Sequence, residues 1–255
     1  RFLKFLYNIT RFRKKARQAL VNSPESTETL GQFLKNNNFN QDVANWFLFP
    51  TLSAIWSIKE IDKINDFPAM STFRFLDNHK LLNTTQPRWK TIKGGSIEYV
   101  SRVRKSIEDN GGWIMTKANV TSIKRSGDAI DIVVNGKEEN FDYVIFATHA
   151  DTTKKLISDI SKEEKNALDK FSYTNNKTVL HKDRGLVPSN YRLLAAWNYT
   201  QKNDPTNGTS QTSFTYCMNI LQHIPHDTPV FVTLNPKIDI DKNMIYAIEE
   251  YSHPQ

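Results

Sequence analysis

Apolar residues recur at intervals of three and four at the start of the chain, at Phe2, Phe5, Leu6, Ile9, Phe12, Ala16 and Leu20. That spacing predicts a helix over residues 1–20 with a basic opposite face, one that docks on a core or lies on a membrane surface. Ser23 ahead of Pro24, or Thr27 ahead of Glu28, starts a further helix that runs through Leu34 and breaks in the Asn-rich stretch 36–40. Residues 42–56, DVANWFLFPTLSAIW, read as another helix that Pro50 bends or splits, and 61–75 as a shorter helical piece. The first 85 residues carry no strand alternation.

The pattern changes near Trp89. Gly94, Gly95 and Ser96 lead into a helix over 96–109, with Ile97, Val100, Val103 and Ile107 as its buried face and Gly111 and Gly112 closing it. Residues 113–115 and 120–124 have short-strand character. Asn135-Gly136 joins two extended runs, 129–134 and 137–141, and both residues tolerate the positive φ of a type I′ hairpin turn. Residues 143–147, YVIFA, are apolar almost throughout, as a strand buried on both faces is. A helix follows over 151–170 with Leu156, Ile157, Ile160 and Leu168 at core positions. Strands are predicted at 178–181, 191–199, 213–218 and 230–234, with a DPTNG turn at 204–208 and a new element over 244–251.

Composition narrows the class. The 255 residues are 38% hydrophobic and include 15 Phe, 9 Tyr and 5 Trp, enough for a core in one large domain or two small ones. No apolar run approaches the ~20 residues of a membrane span, and Arg1, Lys4 and Arg11 interrupt any secretory signal pattern. The net charge of +7 is spread along the chain. Its densest cluster, Arg11, Arg13, Lys14, Lys15 and Arg17, reads as a solvated helix face rather than a nucleic-acid footprint. The single cysteine, Cys217, can form no internal disulfide and no cysteine metal site, which fits a reducing, cytoplasmic setting. The sequons at Asn8, Asn83, Asn119, Asn198 and Asn207 are then chance products of an Asn-rich composition.

Candidate chemistry gathers in the middle of the chain. Gly94-Gly95-Ser96 opens a helix whose first N–H groups point outward, which suits a phosphate and is equally an ordinary helix entry. In open α/β sheets ligands bind beyond the carboxyl ends of the strands, where Thr148 and His149 follow 143–147. Thr148 hydrogen-bonds a ligand or satisfies its turn; His149 is a base or a structural group. A hydrolytic triad has no support, because there is no G-x-S-x-G elbow and Cys217 has no nucleophile signature. His79, His149, His181, His223, His226 and His253 form no helical metal pair, and there is no P-loop lysine, so no metal is expected.

Several segments in order carry a resemblance: WKTIKGGSIEYVSRV at 89–103, ANVTSIKR at 118–125, FDYVIFATHAD at 141–151, VLHKD at 179–183, WNY at 197–199, TYCMN at 215–219 and YSHP at 251–254. Together they resemble the flavin-containing amine oxidase superfamily, and more closely its bacterial branch of predicted NAD/FAD-binding oxidoreductases. The resemblance implies a mixed α/β fold, part of a Rossmann-like FAD-binding domain interleaved with a helical and antiparallel-sheet substrate domain. Residues 1–85 would be the helical part of the substrate domain, 86–155 part of the FAD-binding domain, and 156–255 the mainly extended remainder of the substrate domain.

By the same resemblance Gly94 and Gly95 open a helix beside FAD, the backbone of Val120 meets the adenine, and Ala147, Thr148 and His149 form the turn near the cofactor. His149 stands where the wider superfamily has glycine. Trp197 and Tyr199 are candidates for the substrate cavity, or are core. The family's G-x-G-x-x-G fingerprint and closing flavin motif do not occur. The chain is therefore expected to be the central portion of an FAD-dependent oxidoreductase, inactive alone, which accepts a hydride from an amine or from an apolar, lipid-like C–H substrate. The competing expectation is a non-enzymatic basic module that places residues 1–20 on an anionic membrane or nucleic acid; peripheral membrane contact is compatible with both, and nucleic acid is not favoured.

Overall fold

The computed structural model describes residues 2–58, 61–85, 90–203, 210–225 and 227–254. The predicted DPTNG turn, Asn207, His226 and Trp89 lie outside the described residues. The chain forms two units: Arg1–Thr91 with Asn175–His253, and Ile92–Thr174 with Pro254–Gln255. The second unit runs on to Thr174, with the helical segment at 150–156 packed on the strand at 120–126 and on the helical segment at 162–168.

The first unit opens with α1 (Phe2–Asn22), which packs on the helical elements at 41–43 and 69–78. Ile9, Phe12 and Ala16 are buried, but Phe2 and Leu6 are exposed, so the predicted apolar face docks only over its second half. Helix α2 (Leu30–Asn36) starts two residues later than Thr27 would place it. Thr29 closes a capping box there: its hydroxyl accepts from Gln32 N at 3.3 Å, and Gln32 Oε1 accepts from Thr29 N at 2.9 Å. Helix α3 (Gln41–Val43), capped by Asn40, runs through a π-helical turn at Ala44–Leu48 into α4 (Phe49–Trp56). The wide turn precedes Pro50, which cannot donate an i→i−4 bond, and Phe49 N–H reaches back to Ala44 O instead. A 3₁₀ turn at Ile61–Asp66 leads to α5 (Ala69–Asn78). Phe12 lies at the centre of this layer, edge-on to Phe33, Phe39, Phe47 and Phe73 at centroid distances of 5.7–6.2 Å.

The second unit holds α6 (Ser96–Asp109), the meander β1 (Val120–Ser126), β2 (Ala129–Val134) and β3 (Lys137–Phe141), then α7 (Ala150–Leu156) and α8 (Lys162–Leu168). The Asn135-Gly136 turn has φ of +50° and +77°, the backbone a type I′ turn requires. The single helix expected over 151–170 is two, because a second capping box at Ser161 and Glu164 starts α8 afresh. Three expectations of this unit fail. Residues 143–147 form no strand, and Tyr143 and Ile145 are 90% and 94% exposed. Residues 113–115 form no strand either. No residue of α6 is buried, and it packs substantially on no other element. The physical reason is shared: a strand needs a hydrogen-bonded neighbour and a helix face needs something to cover, and the described residues supply neither here.

Returning to the first unit, β4 (Tyr173–His181), β5 (Trp197–Asn203), β6 (Ser210–Cys217), β7 (Phe231–Leu234) and β8 (Ile245–Pro254) form a sheet in the order β5-β6-β7-β4-β8. The pairs β5–β6, β6–β7 and β4–β7 are antiparallel. Residues 191–193, read as part of a strand, are a 3₁₀ turn instead. One sheet face carries Tyr199 and Tyr216 against the helical layer, where Tyr216 Oη donates to Ala54 O at 3.2 Å. The other face is polar yet buried. Asn198 donates to Thr215 O at 3.1 Å, Thr215 and Thr233 share a hydrogen bond of 2.8 Å, and Thr233 bonds His181 Nε2 at 2.7 Å.

His181 is fully buried, and burial lowers its pKa below 6.5 against the opposing pull of Asp183. The unfolded chain therefore binds a proton that the folded chain excludes. Stability is complete above pH 6.5 and falls as the pH drops through that value, by up to about 1.4 kcal/mol per pH unit for one proton. Urea titrations of the wild-type chain and of His181→Gln across pH 7 to 5 check this; the slope should shrink in the variant.

Candidate cofactor site

All six cofactor candidates fall in the second unit. Gly94 and Gly95 both adopt φ of +88°, a conformation that disfavours any side chain, so the pair is a requirement of the backbone here. A Cβ on Gly94 would stand 2.8 Å from Glu98 Cγ, whereas nothing lies within 4 Å of one on Gly95. Gly95 is the N-cap of α6. No side chain caps the start of this 14-residue helix, and its first turn carries the Glu98 carboxylate beside Gly94.

Val120 begins β1 opposite Val134, and the register slips before Ser122, which makes Thr121 the extra residue of a bulge. The strand start is pinned by a pair of bonds: Asn119 N to Asn135 Oδ1 and Asn135 N to Asn119 O, both 2.9 Å.

The turn 147–149 is held from three sides. Thr148 and Thr153 share a hydroxyl hydrogen bond of 2.7 Å. Thr153 N donates to His149 O at 2.8 Å. The His149 ring stacks on Tyr173 at 4.8 Å and 21°, and Tyr173 Oη accepts from Ala150 N at 2.7 Å. Asp151 Oδ1 lies 3.9 Å from His149 Nδ1. Thr148 therefore satisfies its own helix, and His149 is the N-cap residue of α7 with its ring carried by Tyr173. Tyr173 gave no signal in the sequence, since it stands 24 positions from His149 and in no motif with it. Tyr173→Phe should cost about 1 kcal/mol locally and raise amide exchange at Ala150 several-fold, measured by hydrogen exchange.

The turn and Val120 share one scaffold. The end of α7 bridges to β1 at Ile123–Ile157, Ser158 N donates to Ile123 O at 2.9 Å, and Arg125 reaches Asp159 and Glu164. Arg125 and the backbone at Ser161 lower the Glu164 pKa, the Ser161 backbone bond most. The glycine pair sits apart from this scaffold, on α6. The two aromatic candidates, Trp197 and Tyr199, lie in the first unit. Tyr199 packs on the helical core and beside Phe214 at 5.1 Å, and burial pushes its hydroxyl up to about 12. Trp197 meets Tyr216 edge-on at 5.9 Å.

Solved structures share this fold. A CLA-producing fatty acid isomerase from P. acnes superposes with a TM-score of 0.60 at 11% identity, over 97% of this chain and 62% of its own. A putrescine oxidase variant gives 0.59 at 13% identity, over 91% and 51%. Cyclohexylamine oxidase from Brevibacterium oxydans gives 0.55 at 8% identity, over 98% and 60%. The chain thus spans about three-fifths or less of the length of these structures. A comparison with curated protein sequences gives no match. The fold is that of flavin-dependent oxidoreductases. The chain belongs to the flavin containing amine oxidoreductase family, whose profile matches residues 2–224, and FAD is the usual cofactor of that family.

The residues present fit part of such a cofactor. The uncapped start of α6 with Gly95 open in front of it suits a phosphate, and the pinned backbone at Val120 offers an edge for a flat ring. Among the described residues no three His, Cys, Asp or Glu side chains gather as metal ligands.

Proposed function

We propose that this chain is the central portion of an FAD-dependent oxidoreductase of amine-oxidase type, acting on an amine or on an apolar, lipid-like C–H substrate. The observation that carries the reading is the second unit, whose family-matched segments stand on a scaffold with its apolar faces uncovered. Ile97 and Val100 on α6 are 66% and 55% exposed, and Ile145 is 94% exposed. A dinucleotide-binding domain that draws its central strands from elsewhere in a longer polypeptide would look like this. FAD, when bound, supplies the capacity to accept a hydride. This chain's part would be to hold and orient the cofactor: the start of α6 would hold the pyrophosphate, the backbone at Val120 would hold the adenine, and the 147–149 turn would border the cofactor. Of the two aromatic candidates in the first unit, Tyr199 is part of the helical core, which leaves Trp197 as the candidate for substrate contact. By itself the chain is inactive.

The substrate class is tested with a longer polypeptide that contains this chain, purified with its flavin. Anaerobic mixing with a primary diamine, and separately with an unsaturated fatty acid, is followed through the visible flavin band. Bleaching by one of the two names the class. Bound flavin that neither compound reduces would count against the hydride-accepting role.

A further inference from the structure

Helix α1 has two dissimilar faces, and only one is used by the fold. Asn8, Ile9, Phe12 and Ala16 point into the core. Leu3, Tyr7, Lys14 and Val21, spaced by four, seven and seven residues, lie on the opposite side, and Leu3, Tyr7 and Val21 are 79%, 68% and 79% exposed. Leu6, at the edge between the two faces, is exposed, and so is Phe2 at the start of the core-facing side. The helix carries six Lys and Arg residues and no Asp or Glu. Arg11 bonds the Asn37 carbonyl and stacks over Phe39, Arg13 lies over Phe47, and Arg17 pairs with Asp77. Lys4, Lys14 and Lys15 remain exposed. Tyr7, Thr10, Arg11, Lys14, Lys15 and Gln18 share this solvent-facing side of the helix.

We propose that the outward face of α1 is a docking surface for an anionic lipid bilayer, with the helix lying flat and Leu3, Leu6 and Tyr7 entering the headgroup–acyl boundary. Charge complementarity and exposed aliphatic side chains must be explained together. A nucleic acid matches the lysines but has no use for Phe2, Leu3 and Leu6; a membrane interface takes both, with lysines at the headgroup phosphates and aliphatics beneath them. Arg11 is held by the Asn37 carbonyl and the Phe39 ring, while Lys14 and Lys15 beside it stay exposed to meet phosphate-bearing headgroups. No helix among the described residues is long and apolar enough to cross a membrane, so the contact is peripheral. The inference rests on α1 and is independent of the redox reading.

The test is co-sedimentation of the whole 255-residue chain with vesicles of phosphatidylcholine alone and with about a third phosphatidylglycerol. The chain should partition onto the anionic vesicles and release as salt is raised. Replacing Lys4, Lys14 and Lys15 by Gln should weaken partition roughly fivefold per lysine, and Leu3→Asp with Leu6→Asp roughly tenfold per leucine. All five positions are exposed, so circular dichroism should report an unchanged fold. Binding that persists in both variants, as adsorption through the second unit would, overturns the proposal. So does failure to bind anionic vesicles, or binding that a single-stranded RNA competes away while the leucine variant retains it.

Discussion

Ile145→Asp leaves the 255-residue chain as stable as before, and in a longer polypeptide that completes the cofactor domain it abolishes flavin binding. In the chain alone the side chain is 94% exposed, and substitutions at such positions shift stability by about 0.5 kcal/mol or less. Residues 143–147 have the composition of an interior parallel strand, YVIFA, buried on both faces when neighbours are present. A carboxylate there would lose its water without gaining a partner, at a cost of more than about 3 kcal/mol. Thermal melts of the two polypeptides, each with and without the substitution, give the contrast. Equal tolerance in both would mean that this segment stays at the surface in the complete protein.

The largest effect within the chain itself belongs to Phe12→Ala. The ring is fully buried and meets four other phenylalanines edge-on, so truncation loses both transfer free energy and aromatic contacts and leaves a cavity that rigid neighbours fill poorly. A loss of about 3–5 kcal/mol is expected, enough to unfold the helical layer of the first unit at modest urea. Leu3→Ala, on the same helix but outward, should change the midpoint hardly at all. Denaturant unfolding followed by far-ultraviolet circular dichroism checks both.

Local signals carried much of the fold. Gly-Gly-Ser before an amphipathic run and Gly111 after it set α6 to the residue, at Ser96–Asp109. Asn135-Gly136 set the hairpin turn and the extended runs beside it set β2 and β3, while in the first unit's sheet β6 and β7 stand where strands are expected, β5 begins six residues later than expected, and the element expected over 244–251 is the strand β8. What the sequence misplaced depends on neighbours. Residues 143–147 and 113–115 have strand composition, but strand status is conferred by a second chain segment, and the described residues provide none. The face of α1 was read as one apolar stripe, whereas packing partners exist only along its second half. Thr148 and His149 were legible as a turn after an apolar run; that Tyr173 carries the His149 ring was not, because the contact is tertiary. Trp197 and Tyr199 were equally readable as cavity or core, and the structure sets Tyr199 against the helical layer.

The central claim is that the second unit holds one side of an FAD site. Its most direct test is the flavin content of a longer polypeptide that includes residues 1–255, purified and scanned in the visible and then denatured to release and quantify the cofactor. The account predicts a yellow protein with one flavin per chain, and loss of that flavin in Ile145→Asp while the first unit stays folded. A colourless protein that takes up no added FAD, with the faces of α6 and 143–147 nevertheless covered, would contradict it.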